Sequence, residues 1–94
     1  MSVADTMRRK LTARFNPVRL DIIDDSARHA GHAGAQPGGE THFDVTIVSD
    51  AFAGMGRVAR QRLVYETLAD EIAGGVHALA LRTLVPDEDR ADKN

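Results

Sequence analysis

Gly74-Gly75-Val76-His77-Ala78-Leu79-Ala80-Leu81 is the stretch that decides the architecture. It follows the longest amphipathic helical pattern in the chain and opens the last strand. Two glycines suit a helix end that needs positive φ, and the apolar run behind them is short and bounded, as a strand is. His77 stands where the two meet. A histidine there reads either as a half-buried side chain satisfied by its neighbours, since histidine is intermediate in burial, or as a ligand.

Working back from this stretch, residues 57 to 73 read as the main helix. Val58, Val64, Tyr65, Leu68, Ala69 and Ile72 share one broad face at helical spacing, which is the expected core face. Leu63 falls on the polar side as a small exposed apolar spot, and Gln61 falls within the apolar arc. Arg57, Arg60 and Arg62 cluster in the first turns, where cations work against the helix dipole. They form either a solvated basic end or a patch for phosphate or a partner. Before them, Ser49 or Asp50 can cap a short helical turn anchored by Phe52 and ended by Gly54 and Gly56. Neither GxGxxG nor GxxxxGK is present, so these glycines are not a dinucleotide or phosphate loop.

Two alternating runs precede that turn. In His42 to Ser49, Phe43, Val45 and Ile47 face one way and Asp44 and Thr46 the other, with Val48 out of pattern. In Val18 to Asp24, Val18, Leu20 and Ile22 oppose Arg19 and Asp21. The two make an antiparallel hairpin with an over-long connection, residues 26 to 41, which holds no large apolar residue. Such a segment gains too little by burial to offset its ordering entropy, and long connections in compact domains are often functional. His29 and His32 sit on it, three residues apart, as polar filler or as ligands. His42, at the strand start, reads as structural or exposed. At the N-terminus, Ser2 caps a helix over residues 2 to 15 with Val3, Met7 and Leu11 on one face, ended by Asn16-Pro17.

The order is thus α-β-β-turn-α-β, one small domain over residues 1–86, in which strand, helix and strand form a β-α-β passage. The last strand, Val76 to about Leu84, is apolar on both faces, as if partly covered on each side. Residues 87–94, a charged tail after Pro86, are expected to be disordered.

Composition narrows the chemistry. The net charge of −2 argues against coating nucleic acid by bulk charge. There is no cysteine, which excludes disulfides, thiolate catalysis and any cysteine-based metal site, and fits a reducing compartment. A metal role must use His, Asp or Glu, or borrow thiolates. No apolar segment follows Arg8-Arg9-Lys10 as a signal peptide requires, and none approaches the roughly 18 residues of a membrane span. A soluble, cytoplasmic protein is expected. No nucleophile with a paired base is evident, so no enzyme is expected.

Several spaced motifs together resemble the BolA family: Glu40-Thr41-His42-Phe43 leading into Val45-Thr46-Ile47-Val48-Ser49-Asp50, then Phe52-Ala53-Gly54, Arg60-Gln61-Arg62-Leu63-Val64-Tyr65, and Val76-His77-Ala78-Leu79. The resemblance covers roughly residues 3 to 86. It implies an α+β fold of order α-β-β-α-α-β, a class II KH-like domain whose three-stranded mixed sheet packs helices on one face. It also implies a monothiol glutaredoxin as partner, sharing a [2Fe-2S] cluster with thiolates from glutaredoxin and glutathione. The family's ligand histidine then maps onto His77, and the second ligand lies in the connection between the first two strands: His32 first, His29 as the alternative. The isolated chain would hold no cofactor and be a monomer or weak homodimer. Iron–sulfur trafficking or iron regulation follows as the expected role. The other function within the resemblance is DNA binding as a transcriptional regulator, with Arg57, Arg60 and Arg62 as phosphate contacts. The family commonly has histidine where this chain has Gln61.

Overall fold

The computed structural model describes residues 2–24, 42–76 and 78–92. Helix α1 (Val3–Phe15) begins where the Ser2 hydroxyl accepts from the Asp5 amide at 3.0 Å. It ends at Asn16, whose φ of 44° leaves the right-handed region just before Pro17. Met7, Leu11 and Phe15, one helical row, are buried.

Strands β1 (Arg19–Asp24), β2 (His42–Val48) and β3 (Ala78–Leu84) make one sheet in the order β1-β2-β3. β1 runs antiparallel to β2, from Arg19 opposite Val48 to Asp24 opposite Phe43. β3 runs parallel to β2, from Ala78 beside His42 to Leu84 beside Val48. The parallel pairing requires the crossover, and α2 (Arg57–Thr67) and α3 (Ala69–Ala73) supply it. Phe43, Val45 and Ile47 point into the core with α1, Phe52, Val64, Leu68 and Val76.

Four expectations change. The main helix is two helices, broken at Leu68 with φ −103° and ψ 17°. The Thr67 hydroxyl donates back to the Leu63 carbonyl at 2.7 Å, an interaction that bends helices. Its inward face is also rotated from the expected one: Val64 and Leu68 are buried and Leu63 packs on the core, while Val58 and Tyr65 are exposed. The second face of β3 is open, since Ala78 and Ala80 are exposed.

The fourth change is at the C-terminus, where the expected disordered tail contains helix α4 (Pro86–Asp92). Proline suits a first helical position, and Asp87, Glu88 and Asp89 favour the positive helix start. Glu88 accepts from the Val85 amide at 2.9 Å, which closes the cap. α4 is also the exception to helices on a single face. Arg19, Val48 and Leu84 form one cross-strand row opposite the core, and Asp89 of α4 meets Arg19 there at 2.5 Å. Val48, out of pattern in the sequence, is buried for this reason.

Ser49 joins the layers at the end of β2. Its amide donates to Leu84, its hydroxyl donates to the Phe15 carbonyl at 2.6 Å, and the same oxygen accepts from Ala51 to start the 3-10 turn Asp50–Phe52. Ser49→Ala leaves a buried carbonyl and a turn amide unpaired. A loss of about 1–3 kcal/mol in denaturant unfolding is expected, with an unchanged slope.

Candidate functional site

The histidines proposed as ligands, His29, His32 and His77, lie outside the described residues. What is described is the frame around them. An antiparallel hairpin returns its connection to the end it left, and a parallel third strand starts at that same end. Asp24, where the connection leaves, is opposite Phe43; His42, just after it re-enters, is beside Ala78. Adjacent strands are about 4.8 Å apart, so the ends of the connection and the start of β3 are close neighbours.

The approach to β3 is held on both sides of position 77. Gly75 has φ 137°, which a side chain would strain, and Val76 follows it into the core while donating to the Glu71 carbonyl. On the other side, Ala78 is paired with His42. Leu79 and Leu81 pack toward the core, alternating with exposed Ala78 and Ala80.

The three arginines of α2 separate by role. Arg60 turns inward, donating to the Met55 carbonyl at 2.9 Å and the Thr83 carbonyl at 3.0 Å. It also pairs with Glu88 at 2.7 Å. Arg57 and Arg62 are exposed. Arg60 is therefore a bracket joining α2, the outer edge of β3 and α4, and one of the three proposed phosphate contacts is already engaged. Tyr65 reaches the Leu79 carbonyl on the same strand edge at 3.5 Å.

The Val85 amide, and then the Arg60 guanidinium, hold the Glu88 carboxyl below the usual carboxylate range. A group whose pKa falls on folding contributes stability above its unfolded pKa and loses it as pH drops through the folded value. Thermal unfolding followed into the acid range is thus expected to show a shallower decline in Glu88→Gln than in the parent chain.

Among the described residues, no group of three or more His, Cys, Asp or Glu could hold a metal ion. With no cysteine anywhere, the chain has no thiolate to offer a metal, and its charged and imidazole donors are nitrogen and oxygen. That fits an iron–sulfur cluster whose sulfurs come from another molecule. Two residues of the α2–β3–α4 corner, Thr83 and Glu88, escaped the sequence reading. Thr83 sits in an ordinary strand pattern, and Glu88 lies in a charged run whose only helical signal was Pro86 with acidic residues behind it. No described helix is long and apolar enough to cross a membrane.

A family model described as BolA-like protein matches residues 11–88. The chain is 48% identical over 87 residues to the chloroplast protein BOLA1 of Arabidopsis thaliana, covering 90% of this chain and 54% of that one. It is 45% identical over 83 residues to the DNA-binding transcriptional regulator BolA of Escherichia coli, covering 88% and 75%. The solved structure of Arabidopsis BolA1 superposes with a TM-score of 0.82 at 43% identity, over 94% of this chain and 96% of that one. These relatives are named as BolA proteins or regulators, not as enzymes. Sequence motifs, mixed sheet and helix order agree, and the chain belongs to the BolA family.

Proposed function

We propose that this chain is a non-enzymatic partner of a monothiol glutaredoxin, co-ligating a [2Fe-2S] cluster through His77 and one histidine of the β1–β2 connection, His32 first and His29 as the alternative. The cluster is cargo or signal, in iron–sulfur trafficking or iron regulation. The observation that carries the reading is the strand register, which brings both ends of the histidine-bearing connection to the sheet end where β3 starts. The missing cysteine supports it, because imidazole nitrogen on one iron is an established way to complete a cluster otherwise held by sulfur.

The test is optical. Glutaredoxin loaded with cluster and glutathione is titrated with the full chain, and the visible circular dichroism is followed. Exchange of sulfur for imidazole should change the spectrum to a one-to-one endpoint. A spectrum that stays that of glutaredoxin alone removes the reading.

A second reading, a KH-like DNA-binding regulator, is favoured by one observation: the E. coli relative bears that name. Against it stand the net negative charge and the engagement of Arg60 with Glu88. Affinity for duplex DNA that falls steeply with salt, and falls further in Arg57→Ala and Arg62→Ala, would favour it.

A further inference from the structure

β3 is an edge strand, hydrogen-bonded to β2 on one side only. The Leu84 carbonyl accepts from the Ser49 amide that follows β2, so the backbone groups of Ala78, Ala80, Arg82 and Leu84 turn toward β2. Those of Leu79, Leu81 and Thr83 turn the other way, to the free edge. Two side chains of α2 mark its ends. Arg60 donates to the Thr83 carbonyl at 3.0 Å, and Tyr65 reaches the Leu79 carbonyl at 3.5 Å. Between them, the outward amide and carbonyl of Leu81 make no hydrogen bond among the described residues. An open cleft of about 480 Å³ runs along Leu81 to Leu84. We propose that the free edge of β3 takes an extended acidic peptide of a partner protein as a fourth strand, and that Arg57, Gln61 and Tyr65 select its side chains.

Spacing carries the selection. Arg57, Gln61 and Tyr65 are four residues apart and form one row of α2. Tyr65 meets Leu79 while Arg60 meets Thr83, so α2 runs antiparallel to β3, and Arg57 and Gln61 line the cleft. Four helical residues rise about 6.0 Å and two strand residues about 6.6 Å. The row therefore faces every second side chain of an added strand, and each of its members can donate a hydrogen bond.

Carboxylates suit such a row. Arg57 is exposed and makes no ion pair or hydrogen bond among the described residues. The acids of the neighbouring α4 do not compete, because Asp87, Glu88 and Asp89 are paired with Arg90, Arg60 and Arg19. A second copy of the chain fits less well, since β3, from Ala78 to Leu84, has no carboxylate to set against the row. In strand addition the backbone ladder supplies affinity and alternate side chains supply specificity. The edge needs neither His77 nor a cluster for this.

Amide NMR of the full chain, titrated with a blocked hexapeptide alternating glutamate and valine, tests the edge. Saturable shifts and slowed hydrogen exchange are expected at the Leu79, Leu81 and Thr83 amides. The same peptide with proline for its inner valines lacks ladder donors and should not bind. Arg57→Glu should weaken the glutamate peptide roughly threefold to tenfold and strengthen a lysine–valine peptide by a like factor. Shifts that stay at Arg57 and Val58 and leave the three edge amides unmoved overturn the proposal. So do shifts that never saturate, or equal affinity for the glutamate, lysine and proline peptides. Edge-amide shifts that grow with protein concentration alone would assign the edge to a second copy instead. A short DNA duplex that moves those amides at lower concentration than the peptide would assign it to nucleic acid.

Discussion

Replacing His77 by alanine is expected to return the cluster spectrum of the glutaredoxin mixture to that of glutaredoxin alone, while the chain itself stays folded. The expectation rests on the ligand pair proposed above, which the family resemblance implies. The chain has no cysteine, and its four histidines are His29, His32, His42 and His77. The proposed pair is His77 with one histidine of the connection, while His42 belongs to β2 beside Ala78. An iron that loses one of two imidazoles returns to thiolate ligation, because the remaining single nitrogen competes poorly with glutathione and glutaredoxin sulfur. Val76 before His77 is anchored in the core and Ala78 after it is paired in the sheet, so both flanks are held by contacts of their own. Visible circular dichroism reads the ligand change, and thermal unfolding of the free variant guards against loss of fold. His32→Ala and His29→Ala, made separately, should divide, with only one giving the spectral loss. A wild-type spectrum in His77→Ala sinks the assignment.

The largest expected effect on stability is at Phe52. It is fully buried, and its ring lies 5.1 Å from that of Phe15 at a tilted angle. Phe15 is the last residue of α1 and Phe52 ends the 3-10 turn, so this contact ties the first helix to the passage between β2 and α2. Phe52→Ala removes the ring and leaves a cavity between elements that the Ser49 hydrogen bonds hold apart, costing about 3–5 kcal/mol. A chain of 94 residues has roughly 5–14 kcal/mol in all, at about 0.05–0.15 kcal/mol per residue. The variant should therefore be partly unfolded or sharply less stable, with a lower denaturant midpoint. Phe52→Leu, closer in volume, should recover more than half of the loss. A midpoint within about 1 kcal/mol of the parent would mean that the site closes around the gap, contrary to the packing described.

Parts of this molecule were legible from local chemistry. Ser2 and Asn16-Pro17 marked the ends of α1, because caps and proline act on the nearest turn alone. Phe43, Val45 and Ile47 showed their common face because a strand alternates sides whatever surrounds it. Gly75 showed the need for positive φ at the α3–β3 junction. Other parts were not legible. Val58 and Tyr65 lie on an apolar arc by spacing, yet which side of α2 turns inward depended on the Thr67 bend and on where Leu63 could reach. Val48 read as an irregularity until α4 supplied Asp89 to its row.

Left to itself, the order of residues determined the element types up to β3, the mixed three-stranded sheet, the family motifs and the lack of any thiolate donor, since each rests on spacing along the chain or on which side chains exist at all. Only the tertiary structure decided that α4 forms and brackets the sheet, that Arg60 is bound to Glu88 and the Thr83 carbonyl, and that Thr83 buries a hydroxyl with no partner among the described residues. Those contacts join residues 23 to 70 positions apart, Arg60 with Thr83 and Arg19 with Asp89 at the extremes. Their energies depend on a geometry that no local pattern encodes, because each partner is placed by elements folded elsewhere in the chain.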